Sequence, residues 1–232
     1  MKRLTLLAVA LVVLFAAAAA VVPLGPSAAE GGTVVLMGDS LLAQASADIT
    51  TGLAKLGFSV DSSAAYPGAG LLDTQINWLA KARRLKAEDH PTIAVVEYVG
   101  NYGIYGGISG VRVYTRPFYR RWEAAAQRLE DVLSSGGTTV YWVIGPPVAP
   151  RVPERGIEVL DRIYENLHAP RTQSGRPPLI DVTPALTGGT GRYTGSLSEP
   201  DGKRIQVRRS DGVHLTAAGQ ALFAQAVIEA IG

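Results

Sequence analysis

Short apolar runs alternate with amphipathic stretches along most of the chain, and the two periods predict different elements. Thr33-Val34-Val35-Leu36-Met37 is apolar without the polar alternation of a half-solvated strand, and the segments 58–62, 92–98, 138–144 and 179–182 read the same way. Runs of this length fit strands buried on both faces, as in a parallel sheet. Between them the period shifts to that of a helix. Over 118–133, Phe118, Trp122, Ala125, Leu129 and Val132 fall on one face, and Gly136-Gly137 ends the stretch. A last helix carries Leu222, Phe223, Ala226, Val227 and Ala230 at similar spacing. Together these predict an α/β fold: a three-layer α/β/α sandwich on an open, doubly wound, mostly parallel five-stranded sheet.

The N-terminus breaks this rhythm. Lys2 and Arg3 precede a long apolar stretch from Leu6 to Leu24, and Ser27-Ala28-Ala29 offers small residues for cleavage before Glu30. Export is the predicted fate. Residues 1–29 read as a signal peptide or, since the stretch approaches the roughly 20 apolar residues that span a bilayer, as an uncleaved anchor. The remaining residues, 30–232, make one domain, about 200 residues being enough for a single core. Without Lys2 and Arg3 the formal net charge of +2 falls to zero, so nothing in the charge calls for a nucleic-acid partner. There are no cysteines, which excludes disulfides, thiolate metal sites and a cysteine nucleophile.

Candidate chemistry lies at the two ends of the domain. A serine hydroxyl is a poor nucleophile unless an imidazole takes its proton and a carboxylate fixes that imidazole's tautomer. Ser40 follows the first predicted strand, with Gly38 and Asp39 as a tight turn that presents its hydroxyl at the sheet's C-terminal edge; Asp211 and His214 stand three apart in one loop. Each also reads as plain structure. Asp39 and Ser40 are good helix N-caps, Asp211-Gly212 is an ordinary turn, and His214 would cap the last helix. Donors for an oxyanion are available at Gly68, in Tyr66-Pro67-Gly68-Ala69-Gly70, and at Asn101. No Gly-x-Ser-x-Gly occurs, so the nucleophile elbow of the α/β-hydrolases is absent.

These four blocks resemble those of the SGNH hydrolases, or GDSL esterase family. Gly38-Asp39-Ser40-Leu41 matches the first block, Gly68 the second, Asn101 the third, and Asp211 to His214 the last, Asp-x-x-His. The resemblance implies Ser40 as nucleophile, His214 as general base and then acid, and Asp211 as its orienting carboxylate. It also implies an oxyanion hole from the Ser40 and Gly68 N–H groups and the Asn101 amide, with neither cofactor nor metal. Two features depart from the pattern: Val99 and Tyr102 stand where the third block has Gly and Asp, and Gly70 is an alternative to Gly68.

Two segments exceed ordinary connections. Residues 101–117 bring Tyr102, Tyr105 and Tyr114 near the oxyanion asparagine, and Tyr102 and Tyr105 are the substrate-binding candidates; Phe118 and Trp122 read as helix core. Residues 184–210 are Gly-rich and lead into Asp211, so they are expected to cover the site, with Arg204, Arg208 and Arg209 either on a substrate anion or on a solvated strand. His90 and His168 lack catalytic partners in any motif, and Glu97, within the third strand, needs Arg121 or a backbone donor if buried.

The function expected is an exported serine esterase that removes a short acyl group, acetyl foremost, from a carbohydrate or lipid. Two alternatives use the same fold: an O-acyltransferase acting on an envelope glycan through the same triad, and a non-catalytic glycan-binding module. The partner is thus a small-molecule, glycan or lipid ester, and a membrane only through 1–29.

Overall fold

The computed structural model describes residues 31–101, 107–108, 110–150 and 155–232; the signal peptide or anchor read over 1–29 lies outside them. Five strands, β1 (Thr33–Gly38), β2 (Ser59–Ala65), β3 (Ile93–Glu97), β4 (Thr139–Ile144) and β5 (Leu179–Asp181), form one parallel sheet in the order β2-β1-β3-β4-β5. Successive side chains of a strand point to opposite faces. Val35 and Met37 therefore enter one core, and Val34 and Leu36 the other.

Helices α2 (Trp78–Asp89), α3 (Arg116–Ser134) and α4 (Arg155–Glu165) cover the first core, and α1 (Ser40–Lys55) and α6 (Ala217–Ile231) the second. In α3 the side chain of Thr115 caps the first turn, Pro117 sits where its missing N–H costs nothing, and Phe118, Trp122, Ala126, Leu129 and Leu133 are buried. Each large apolar side chain buried in this way contributes roughly 1.5–3 kcal/mol. Three of the core aromatics pair their polar edges. Trp122 Nε1 donates to Tyr164 Oη at 3.0 Å, Tyr164 Oη donates to the Tyr98 carbonyl at 2.6 Å, and Trp142 Nε1 donates to Glu130 Oε2 at 2.9 Å.

Two features differ from the sequence reading. β2, read as a buried run, is only partly buried because it is an edge strand, with Asp61 and Ser62 among its residues. Residues 184–210 include part of the short helix α5 (Thr183–Thr187) and an antiparallel hairpin, β6 (Ser196–Ser198) with β7 (Arg204–Gln206), which their Gly-rich composition did not announce. Among the described residues no helix is long and apolar enough to cross a membrane.

From β1 the chain runs outward to the edge strand β2 and returns to β3 on the other side of β1. The crevice between the C-terminal ends of β1 and β3 is the switch point where open α/β sheets take ligands. Ser40 follows β1 and Asn101 follows β3.

Candidate active site

At Gly38-Asp39-Ser40 the helix-cap reading holds. The strand passes into α1 without a separate turn: Asp39 is the N-cap, its Oδ1 accepting the Leu41 N–H at 3.1 Å, and Ser40 is the first helical residue. Its N–H is one of the donors that a helix N-terminus leaves unpaired. Gly38 is needed for closeness rather than for its own torsion, since a Cβ there would come within 2.2 Å of the Glu97 carbonyl oxygen.

His214 reaches Ser40 from the loop before α6. Its Nε2 lies 3.1 Å from Ser40 Oγ and its Nδ1 3.0 Å from Asp211 Oδ2. Asp211 Oδ1 accepts the Val213 and His214 N–H groups, both at 2.8 Å, around a Gly212 whose φ of +79° fits the Asp-Gly turn. Burial alone would raise the Asp211 carboxyl; those two N–H bonds and the imidazole outweigh it and hold it down at about 2. An ionised Asp211 on Nδ1 fixes the tautomer that leaves Nε2 free to accept a proton.

Sequence reasoning missed the residues that hold this loop. Arg208, offered as an anion ligand or a surface residue, is 1% exposed and does neither; its guanidinium donates to the Val213 carbonyl at 2.8 Å and the Pro147 carbonyl at 3.2 Å. Burial draws its pKa down to about 10. Arg209 Nε donates to the Leu215 carbonyl, and Gln44 Oε1 on α1 accepts the Leu215 N–H. Arg204 is exposed on β7. A basic residue adjoining a catalytic motif looks the same in sequence whether it faces substrate or clamps the loop's carbonyls.

The two candidates for the oxyanion glycine, Gly68 and Gly70, separate on their partners. Gly70 N–H donates to Asp73 Oδ2 at 2.8 Å, whereas the Gly68 N–H has no acceptor among the described residues and sits at φ +77°. Gly70 has a packing role instead: a Cβ there would lie 2.0 Å from the Asn101 carbonyl oxygen. The Asn101 amide bonds to the Asp39 carboxyl, which also accepts the Val99 N–H at 3.0 Å through Oδ2. Glu97 is fully buried on β3 and is partnered by backbone donors, Asp39 N at 3.3 Å and Leu42 N at 3.4 Å, rather than by Arg121.

A cavity of about 310 Å³ opens at the pair, lined by Ser40, Asn101, Asp211 and His214 and walled by Val99, Val148, Ile157, Val213 and Tyr114. None of its lining comes from 184–210, so the expected cover is absent among the described residues; that segment supports the Asp211–His214 loop from behind through Arg208 and Arg209. Tyr102 and Tyr105 lie outside the described residues; among the described ones Tyr114, 45% exposed, brings an aromatic of that segment to the cavity. Phe118 and Trp122 are core, as read. His90 ends α2 in the left-handed region, and His168 meets Gln127 through its backbone.

Residues 33–230 match the family described as Protein of unknown function (DUF459). No curated protein is significantly similar to the chain. Among solved structures, TesA is similar with a TM-score of 0.57 and 22% identity, over 85% of this chain and 97% of its own. A carbohydrate esterase family 3 protein from Talaromyces cellulolyticus reaches a TM-score of 0.53 at 12% identity, over 85% and 95%. A catalytic mutant of Axe2, an acetylxylan esterase from Geobacillus stearothermophilus, reaches 0.53 at 15%, over 88% and 95%. What they share with this chain is the three-layer fold.

Proposed function

Because the chain belongs to the family described as Protein of unknown function (DUF459) and has the fold that the resemblance to the SGNH hydrolases implies, we propose that it is a serine ester hydrolase. The observation that carries this reading is the line from Asp211 Oδ2 through His214 to Ser40 Oγ, at 3.0 and 3.1 Å, beside a 310 Å³ cavity. His214 Nε2 takes the Ser40 proton as Oγ attacks the ester carbonyl. The resulting oxyanion is met by the Ser40 and Gly68 N–H groups and the Asn101 amide, with the positive end of α1 behind Ser40. Collapse of the tetrahedral intermediate expels the alcohol, which takes the proton from His214. Water then attacks the acyl-Ser40 ester with His214 again as base, releasing the acid and restoring the hydroxyl.

The substrate is a short acyl ester, acetyl foremost, of a carbohydrate or lipid, and the protein is exported through residues 1–29. Support for the acyl class comes from the wall of Val99, Val148, Ile157 and Val213, which suits an apolar chain and not a charged one. Support for a sugar ester comes from the fold shared with an acetylxylan esterase and a carbohydrate esterase.

The test is a series of p-nitrophenyl esters from acetyl to octanoyl, together with acetylated xylo-oligosaccharides, on the protein and on Ser40→Ala. Turnover highest for the short esters and abolished by Ser40→Ala is expected. Turnover that survives Ser40→Ala, or none on any ester, would overturn the reading.

A further inference from the structure

Directly behind the proposed nucleophile lie two carboxyls that the mechanism above does not use. Asp39 and Glu97 are both fully buried, and their side chains are in hydrogen-bond contact. They come from adjacent strands: Glu97 ends β3, paired with Gly38 at the end of β1, and Asp39 follows Gly38. The donors around them divide unequally. Asp39 accepts from the Leu41 and Val99 N–H groups and from the Asn101 amide, and caps the positive end of α1. Glu97 places one oxygen, Oε2, on the longer Asp39 and Leu42 N–H contacts, while Oε1 meets no donor among the described residues. Two ionised carboxylates are acceptors only and cannot bond to each other. One proton between them resolves this, and the donor count assigns it to Glu97.

We propose that Glu97 is a positioning residue that, in its neutral form, donates to ionised Asp39, and that Asp39 in turn holds the Asn101 amide in its oxyanion-binding orientation. One of the two amide hydrogens of Asn101 is used on Asp39, and the other is left for the oxyanion. The inference rests on the esterase reading for its catalytic half only. Burial raises both carboxyls, but the two are not pushed alike: at Asp39 the Glu97, Val99, Leu41 and Asn101 hydrogen bonds pull back down, whereas at Glu97 the adjoining Asp39 charge adds to burial and pushes it well above its ordinary 4.5. Among the described residues the other titratable group beside the two carboxyls is Tyr98 directly after the same strand, itself near Tyr66 and Tyr164; β1 presents Gly38. None of these is a cation that would favour an ionised Glu97.

Two measurements test this, and they fail separately from the esterase reading. The first is thermal melting of the protein and of Glu97→Gln from pH 4.5 to pH 8.5. An acid whose pKa is raised on folding costs increasing stability as pH climbs from its unfolded value towards the raised one. A neutral amide keeps the donor without that cost, so the Tm of Glu97→Gln relative to wild type must rise with pH. A difference that is flat or falls with pH means an ionised Glu97, and the proposal is wrong.

The second measurement is kinetic, on a p-nitrophenyl ester. Glu97→Gln should keep kcat within about threefold. Asp39→Asn, which keeps the helix cap, turns an acceptor into a donor and should lower kcat about tenfold or more with KM within about twofold. In an Asn101→Ala background, Asp39→Asn should cost less than about threefold, since the amide it positions is gone. Should Asp39→Asn not fold, Glu97→Leu takes its place in the same cycle. Glu97→Gln falling as far as Asp39→Asn, or full additivity with Asn101→Ala, would overturn the proposal. Activity surviving in Ser40→Ala would instead remove the esterase reading and leave the melting result to stand alone.

Discussion

Gly70→Ala probes the proposed oxyanion site without touching a group to which the proposal assigns chemistry. The glycine's own N–H goes to Asp73 and its carbonyl accepts from Trp78 Nε1 at 2.9 Å, so its hydrogen bonds survive the change. What changes is volume. The new Cβ would lie 2.0 Å from the Asn101 carbonyl oxygen and 3.0 Å from its carbon, against an ordinary contact of 3.4 Å or more. One backbone segment must retreat by roughly 1 Å, and a misplacement of this size at a catalytic group can cost about 10²-fold. Overpacking of this kind costs about 1–3 kcal/mol, or roughly 2–12 °C in Tm for a domain of this size. The expectation is a fold that persists with kcat on p-nitrophenyl acetate lowered about 10- to 100-fold. Gly202→Ala serves as control: its Cβ meets nothing within 4 Å, but a φ of +83° penalises alanine, so Tm should fall while kcat holds. A Gly70→Ala protein with kcat within about threefold of wild type would show that the position of Asn101 does not matter, and would remove it from the oxyanion site.

Three further predictions draw on the supports of the site. Arg208→Met removes charged-donor bonds to the Val213 and Pro147 carbonyls, each worth about 1.5–3 kcal/mol, while relieving a buried guanidinium, so a net loss of about 2–4 kcal/mol is expected in denaturant melts, with kcat down about tenfold as the Asp211–His214 loop loosens. Burial pushes Asp161 up to about 7 against the opposing pull of the Gly145 N–H at 2.8 Å. Wild type therefore loses stability as pH rises from 3.8 to about 7, and the Tm of Asp161→Asn relative to it should climb over that window and then level off; a flat difference would contradict the assignment. His214→Ala should depress kcat nearly as far as Ser40→Ala, and Asp211→Asn less, because triad members act as a unit in which losing the carboxylate costs least; equal losses in all three would contradict the ordering.

The sheet was legible chiefly because its inner strands β1 and β3 are buried on both faces, which makes each a continuous apolar run bounded by polar turns. All five strands lie within a few residues of the expected segments, and α3 where its one-sided periodicity put it. β2 carried the weaker signal because an edge strand keeps polar residues such as Asp61. The contact of Ser40 with His214, 174 positions apart, was legible only through the spacing of the four blocks. The supports were not. Glu97 meets Asp39 because β3 pairs with β1, and Arg208 reaches Val213 because the chain doubles back; neither neighbour relation is periodic. Gly68 and Gly70 are equivalent as letters, and the acceptor that distinguishes them, Asp73, matters only through the fold of the loop.

The central claim, that Ser40 is a nucleophile activated by His214, is tested most directly by labelling with a fluorophosphonate and mapping the adduct by mass spectrometry. The account predicts one stoichiometric adduct on the peptide that contains Ser40, greatly slowed in His214→Ala and absent in Ser40→Ala. An intact, folded protein that takes no label at Ser40, or takes it on another residue, would contradict it.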